Sequence, residues 1–290
     1  MKKIIGGCVV FFNPDERVIR NIASYNSSID VLIIIDNSPE QNSLLINEVK
    51  KLHGEIIYKW LGDNKGIAKA LNIASGIAIE RNCEWMLTMD QDSKFREGDL
   101  LKMLGSVEKI EAIYDHIAII CPYHNVHEQF ISKSGAVFQE IKSTMTSGNL
   151  LNLRVYQKVS GFEEKLFIDY VDHDYCLRVR KNNFRIIQNN EISLEHSLGD
   201  FKIKTFFGKE IGISNHNHIR RYYIARNGLY AVRKFFSFDP LFCLVIIKSI
   251  LYDFGRILFF EKNKFLKTKA MIVGIWHSII NRYGKLDQRL

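Results

Sequence analysis

Val31-Leu32-Ile33-Ile34-Ile35-Asp36-Asn37-Ser38-Pro39 sets the reading of this chain. Val31 to Ile35 is an unbroken apolar run in which every residue but Leu32 is β-branched. Such a run suits a strand buried on both faces, the condition of a strand inside a parallel sheet. The run stops at Asp-Asn-Ser-Pro, a turn signal. The same grammar repeats on both sides. Residues 4–12 read as a strand, and Asn13, Pro14 and Glu16 are placed to cap and open a helix in which Val18, Ile19 and Ile22 recur at helical spacing. Further along, 44–52 suits a helix, 56–60 a short strand, 66–80 a helix, 85–89 a strand, 100–113 a helix and 117–121 a strand. Strand and helix alternate about every 25–30 residues, which predicts βαβ units, an α/β fold and a mostly parallel sheet.

Composition is compatible with that fold. The chain has 290 residues, 47% of them apolar and 25% charged. Those proportions exclude a disordered chain, a collagen-like fibre and a small disulfide scaffold. The formal net charge is +8, but it is unevenly distributed: residues 201–290 carry 17 Lys/Arg against 5 Asp/Glu, whereas residues 1–200 are net acidic. A basic end of this kind suits an anionic partner such as lipid headgroups, diphosphates or nucleic acid. The five cysteines, Cys8, Cys83, Cys121, Cys176 and Cys243, form no CxxC pair and read as reduced, mostly buried thiols. Met1-Lys2-Lys3 followed by residues 4–12 imitates a signal peptide, but Asn13-Pro14-Asp15-Glu16-Arg17 follows with no small-residue cleavage site, so a first buried strand is expected. No apolar run reaches 18 residues, so no transmembrane helix is expected.

Ligands of such sheets sit outside the carboxyl ends of the strands. Polar clusters stand there: Asp36-Asn37-Ser38, Asp63-Asn64-Lys65-Gly66 and Asp90-Gln91-Asp92. Asp90 and Asp92, at i and i+2 where a strand opens into a loop, can converge on one hard cation, and Mg²⁺ favours carboxylates combined with phosphate oxygens. The GxGxxG and Walker A patterns are absent. Asp172 and Asp174 open a predicted helix, where acids are favoured electrostatically and where one can serve as a general base. His196 follows a predicted strand. Arg220, Arg221, Tyr222, Tyr223, Arg226 and Asn227 share little more than two helical turns, and guanidinium groups suit diphosphates.

Taken in order, Asp36-Asn37-Ser38, Asn64-Lys65-Gly66-Ile67-Ala68 with Asn72, Asp90-Gln91-Asp92-Ser93, Ser147-Gly148-Asn149, Gly161-Phe162-Glu163-Glu164, residues 167–178 and Glu195-His196-Ser197-Leu198-Gly199 resemble glycosyltransferase family 2, and within it bacterial rhamnosyltransferases that use dTDP-L-rhamnose. The resemblance covers residues 4–235. It implies a GT-A fold, Rossmann-like with helices flanking the sheet, and an inverting transfer from a nucleotide sugar to a saccharide acceptor. It implies donor-binding roles for Asp36, Asn64, Gly66, Asp90 and Arg221. It implies a divalent metal, Mg²⁺ or Mn²⁺, held by Asp90, Asp92 and His196, and a catalytic base at Asp172, six residues before Arg178. Many relatives have Glu-Asp where this chain has Val171-Asp172, so Asp169 and Asp174 stay as alternates.

Residues 1–236 are expected to form the GT-A domain and residues 237–290 a basic helical appendage, with Pro240 near the boundary. Leu241, Leu244, Val245, Leu251, Phe254, Leu258 and Phe259 form an apolar stripe beside Lys248, Arg256, Lys262, Lys264, Lys267 and Lys269. That pattern suits peripheral contact with an anionic membrane, on the inner face of a cell membrane, by an enzyme with a lipid-linked acceptor. The alternatives are the same fold with a UDP-hexose donor, a nucleotidyltransferase, and a basic nucleic-acid-binding protein. The last is disfavoured because no zinc-finger or RNA-binding motif is present, and no nucleic-acid partner is expected.

Overall fold

The apolar runs become the centre of a sheet. The computed structural model describes residues 3–124, 135–196, 202–206, 209–213 and 215–286. The first elements are β1 (Ile5–Phe11), α1 (Arg17–Ala23), β2 (Val31–Asp36), α2 (Ser43–Val49), β3 (Glu55–Trp60), α3 (Ile67–Glu80), β4 (Trp85–Asp90), β5 (Ser93–Phe95), α4 (Asp99–Ile113) and β6 (Ile117–His124). They are followed by β7 (Phe138–Glu140), β8 (Asn149–Asn152), α5 (Leu153–Lys158), α6 (Val171–Lys181) and β9 (Arg185–His196). The sheet order is β3-β2-β1-β4-β8-β6-β9-β5, with β7 also on β9. β3, β2, β1 and β4 are mutually parallel. β8 is inserted antiparallel between β4 and β6, and β9 runs parallel to β6. β5 and β7 pair antiparallel with β9.

This is the expected α/β architecture, a mostly parallel sheet flanked by helices. β1 and β2 are buried at every residue, as unbroken apolar runs require. β3, at the sheet edge, is partly exposed and carries Glu55 and Lys59, charges that discourage pairing with another chain. α3 places small residues, Ala68, Ala70, Ala74 and Ala78, in the interior and packs on β1 and β2. All five cysteines are free and buried.

One local expectation is corrected. α1 begins only at Arg17, and its N-cap position, Glu16, makes no side-chain cap bond. Asn13 has φ of 47° and donates its backbone N–H to Ser38 Oγ at 2.8 Å, tying the end of β1 to the turn after β2. A residue turned left-handed for that bond cannot also cap the helix. Asp15 accepts the Arg17 backbone N–H at 3.0 Å instead.

The chain divides into two compact units, residues 1–163 with 175–197, and residues 164–174 with 198–290. The boundary expected after residue 236 falls within the second. That unit holds an antiparallel hairpin of β10 (Lys202–Phe206) and β11 (Lys209–Ile213), then α7 (His218–Phe235), α8 (Pro240–Phe260) and α9 (Lys264–Ile279). Asn217 caps α7 and Asp239 caps α8, with Pro240 in the first turn. α7 packs against both later helices. A Cβ at Gly274 would collide with the Tyr222 carbonyl, so only glycine lets α9 approach α7 this closely. No described helix is long and apolar enough to cross a membrane.

Candidate active site

The carboxyl ends of β1, β2 and β4 place two acids at one edge. Register pairs Phe11 with Asp36 on one side of β1, and Val10 with Asp90 on the other. Asp36 is fully buried. Its Oδ1 accepts the Ser38 N–H at 3.0 Å and its Oδ2 accepts the Tyr58 hydroxyl at 2.6 Å. Burial and the Asp36 carboxylate together push the Tyr58 phenol well above its ordinary range, so it stays a donor.

Asn37 links this turn to the next. Its Nδ2 donates to Asn64 Oδ1 at 3.0 Å, and its Oδ1 accepts the Lys65 N–H at 2.7 Å. Asn64 Oδ1 also accepts the Gly66 N–H at 2.9 Å. Gly66 has φ of 88° and ψ of 157°, a region open essentially only to glycine, and it starts α3. Trp60 Nε1 donates to the Ser38 carbonyl at 2.9 Å. Asp36, Asn64 and Gly66 are therefore brought into one hydrogen-bonded rim, with Asn37, Tyr58 and Trp60 as members that the sequence reading had not assigned roles.

Asp90 ends β4, and its N–H donates to Ser147 Oγ at 3.0 Å. This explains why Ser147-Gly148-Asn149 belongs with the acidic motif. Between the two acids, Gln91 Oε1 accepts the Phe12 N–H at 2.8 Å, and Asn21 Nδ2 donates to the Gln91 carbonyl at 2.8 Å. Gln91 thus locks the acidic turn onto the end of β1, a role visible only once the strands are paired. Asp92 is exposed and lines a cleft of about 960 Å³ with Arg17, Gln91, Lys94 and Glu195 among its walls. β9 pairs His196 with Ser93, next to Asp92 in sequence. The His196 side chain lies outside the described residues. Among the described residues no three His, Cys, Asp or Glu side chains form a metal-binding group. Asp92 nevertheless offers hard carboxylate oxygens beside this open volume, and Asp90, at the end of β4, is a second carboxylate two residues away, a donor set that fits Mg²⁺ or Mn²⁺ when phosphate oxygens and water complete the shell.

Asp169, Asp172, Asp174 and Arg221 belong to the second unit. Asp172 is half-buried in the first turn of α6, and its Oδ1 accepts the His173 N–H at 2.8 Å. Asp174 is fully buried and ion-paired with Lys234 at 2.7 Å. Asp169 accepts the Arg220 Nε–H at 3.2 Å through Oδ1. Burial raises its carboxyl to about 6, against the opposing pull of Arg220 and with a smaller push from Asp172. Phe167, Asp169 and Tyr170 all have positive φ, at 66°, 60° and 64°.

What holds this loop is α7. Buried Asn227 donates from Nδ2 to the carbonyls of Leu166 at 2.8 Å, Ile168 at 2.7 Å and Asp169 at 3.0 Å. Arg226 donates to the Leu166 carbonyl at 3.1 Å and the Gly284 carbonyl at 2.8 Å, with Tyr223 against its guanidinium. Arg221 is corrected as a diphosphate contact. It is fully buried, and its guanidinium is paired with Asp253 at 2.7 Å and with Glu261. Two distant carboxylates neutralise the charge that the local pattern had presented as a surface feature.

Comparison with known proteins agrees with this fold. The family model described as Glycosyl transferase family 2 matches residues 8–176. The chain is 26% identical to the dTDP-rhamnosyl transferase RfbF of Shigella flexneri over 94% of each chain. Among solved structures, GalNAc-T7 with UDP, GalNAc and Mn²⁺ aligns at a TM-score of 0.53 and 9% identity, over 71% of this chain and 44% of that one. TarS 1–349 of S. aureus in complex with UDP aligns at 0.50 and 16%, over 66% and 59%. This chain thus spans less than two thirds of either solved neighbour, and these likenesses concern the fold. A family match over more than half of the chain, on a sheet whose polar strand ends carry the motifs, leads to one conclusion: the chain belongs to glycosyl transferase family 2 and is a glycosyltransferase acting on a nucleotide sugar.

Proposed function

We propose that this enzyme moves L-rhamnose from dTDP-L-rhamnose to a hydroxyl of a saccharide acceptor, with inversion at the anomeric carbon. The observation that carries the donor assignment is the similarity to a dTDP-rhamnosyl transferase along 94% of both chains. The acceptor is proposed to be lipid-linked, in O-antigen, capsule or other cell-surface polysaccharide synthesis. Work at the inner face of the cell membrane belongs to the same reading.

In this reading Asp36 holds the turn that receives the nucleoside, and Asn64 and Gly66 shape the same pocket. Asp90 and Asp92, with His196 as an expected third ligand, would hold a divalent metal. When bound, the metal offsets charge that builds on the departing diphosphate. Asp172 takes the proton from the acceptor hydroxyl as its oxygen attacks the anomeric carbon from the face opposite the diphosphate. The C–O bond to the donor phosphate breaks as the new one forms, so a β-linked donor yields an α-L-rhamnoside.

Calorimetry with dTDP-L-rhamnose, dTDP-glucose, UDP-glucose and UDP-galactose, with and without Mn²⁺, on wild type and Asp92→Ala, tests the reading. Metal-dependent preference for dTDP-L-rhamnose that is lost in the variant is expected. Preference for a UDP-hexose would overturn the donor and retain the fold and chemistry. Metal-independent binding would overturn the role of Asp90 and Asp92.

A further inference from the structure

The last helices leave an apolar surface uncovered. On α8, Leu241, Leu244, Val245, Leu251, Leu258 and Phe259 are at least half exposed, Phe259 at 72%. At 100° per residue these positions fall on one side of the helix, opposite the buried Cys243, Ile246, Ile250, Asp253 and Ile257. α9 does the same with Phe265, Ile272, Trp276 and Ile279, Phe265 being 84% exposed. Single exposed apolar side chains are ordinary, but two whole helix faces of them mark an interaction surface.

The charges accompanying this surface are of one sign. Over residues 240–286 the exposed ionisable groups are Lys248, Lys262, Lys264, Lys269, Arg282 and Lys285. The only acids in that span, Asp253 and Glu261, are buried. Asp253 pairs with Arg221 and Arg256, and Glu261 with Arg221 and Lys267. The fold therefore spends every acid of this region inside and leaves an exterior that is apolar and cationic. A second copy of this surface would bring lysines against lysines, whereas an anionic bilayer offers acyl chains to the apolar residues and headgroups to the lysines.

We infer that the exposed faces of α8 and α9 are a docking surface for an anionic lipid bilayer. Phe259, Phe265 and Trp276 enter the headgroup–acyl boundary while Lys248, Lys262, Lys264 and Lys269 meet the phosphates. The inference deepens the membrane location proposed above and rests on the geometry of the second unit, so it does not depend on the donor assignment.

The test uses the full chain with phosphatidylcholine vesicles, with and without phosphatidylglycerol. Co-sedimentation with the anionic vesicles at low salt is expected, with a blue shift of tryptophan emission that Trp276→Phe removes. Phe259→Ser with Phe265→Ser, and separately Lys262→Ser, Lys264→Ser and Lys269→Ser together, should each weaken vesicle binding about tenfold or more. These side chains are exposed, so circular dichroism should show an unchanged fold, and calorimetric binding of the nucleotide sugar should be unchanged. No sedimentation at low salt would overturn the inference, as would sedimentation that neither set of substitutions weakens. A concentration-dependent dimer that Phe259→Ser with Phe265→Ser dissociates, in a chain that ignores vesicles, would assign the surface to a second copy instead.

Discussion

Lys234 Nζ lies 2.7 Å from the Asp174 carboxylate, whose side chain is fully buried. α7 thereby engages an acid that the sequence leaves as an alternate base. A buried carboxylate held by an ammonium has a structural task, and this separates Asp174 from the half-buried Asp172 two residues earlier.

The two acids should therefore fail differently. Asp174→Asn leaves a partly buried ammonium without its counter-charge, and urea unfolding should show a loss of about 3 kcal/mol. Asp172→Asn should leave the unfolding curve nearly unchanged while transfer falls about 10²–10⁴-fold, with donor affinity retained in calorimetry. Loss of donor affinity in Asp172→Asn would give that residue a different role.

Asn227 should control the loop before α6. Its amide serves three carbonyls of a segment with three positive-φ residues. Asn227→Leu keeps a branched side chain of four heavy atoms and removes the donors, leaving carbonyls unpaired at a cost of about 1–3 kcal/mol or more. Turnover should fall while KM for the donor stays near wild type, because the substitution loosens the Asp172 segment and not the rim around Asp36 and Asn64, where the donor is proposed to bind. Equal changes in kcat and KM would argue against this.

Asp169 should make stability depend on pH with an unusual sign. Its carboxyl is raised from the ordinary carboxylate value to about 6 by burial. Between pH 4 and 6 the folded state then holds a proton that the unfolded state has lost, so this group's contribution to stability falls as pH rises. Asp169→Asn cannot ionise. Its stability relative to wild type should rise from pH 4 to pH 7 by up to about 3 kcal/mol, measured by urea unfolding at each pH. A relative stability that falls over that range would mean that the Arg220 ion pair dominates.

Gly66→Ala tests the rim. With φ of 88° and ψ of 157°, an alanine there is strained by about 1–3 kcal/mol. The Asn64–Gly66 turn should shift, lowering the melting temperature and weakening calorimetric binding of dTDP about tenfold. Unchanged binding would remove Gly66 from the nucleotide pocket.

Much of the fold was legible in the sequence because its signals are local. Val31–Asp36 is apolar at nearly every position, and a parallel strand buried on both faces needs that pattern. α3 and α4 announce themselves by helical spacing over more than three turns. The strands β5, β7 and β8 were not legible. Each is three or four residues long and exists through partners far away in the chain, so no period marks it. The cap that Asn13 offers in the sequence does not form, because α1 starts only at Arg17 and the Asn13 N–H is committed to Ser38, a residue of another strand's turn.

The order of strands and helices, and the placing of polar residues such as Asp36 and Asp90 at strand ends, were determined by the sequence itself, because hydrophobic period and turn chemistry act between near neighbours. Which charges face outward was decided only by the tertiary structure. Lys267 and Lys269 stand two residues apart on α9 and look alike in a charge count, yet Lys267 is buried against Glu261 and Lys269 is exposed. Residues two apart on a helix point to opposite sides, and only the packing of α7, α8 and α9 settles which side meets a carboxylate and which meets solvent.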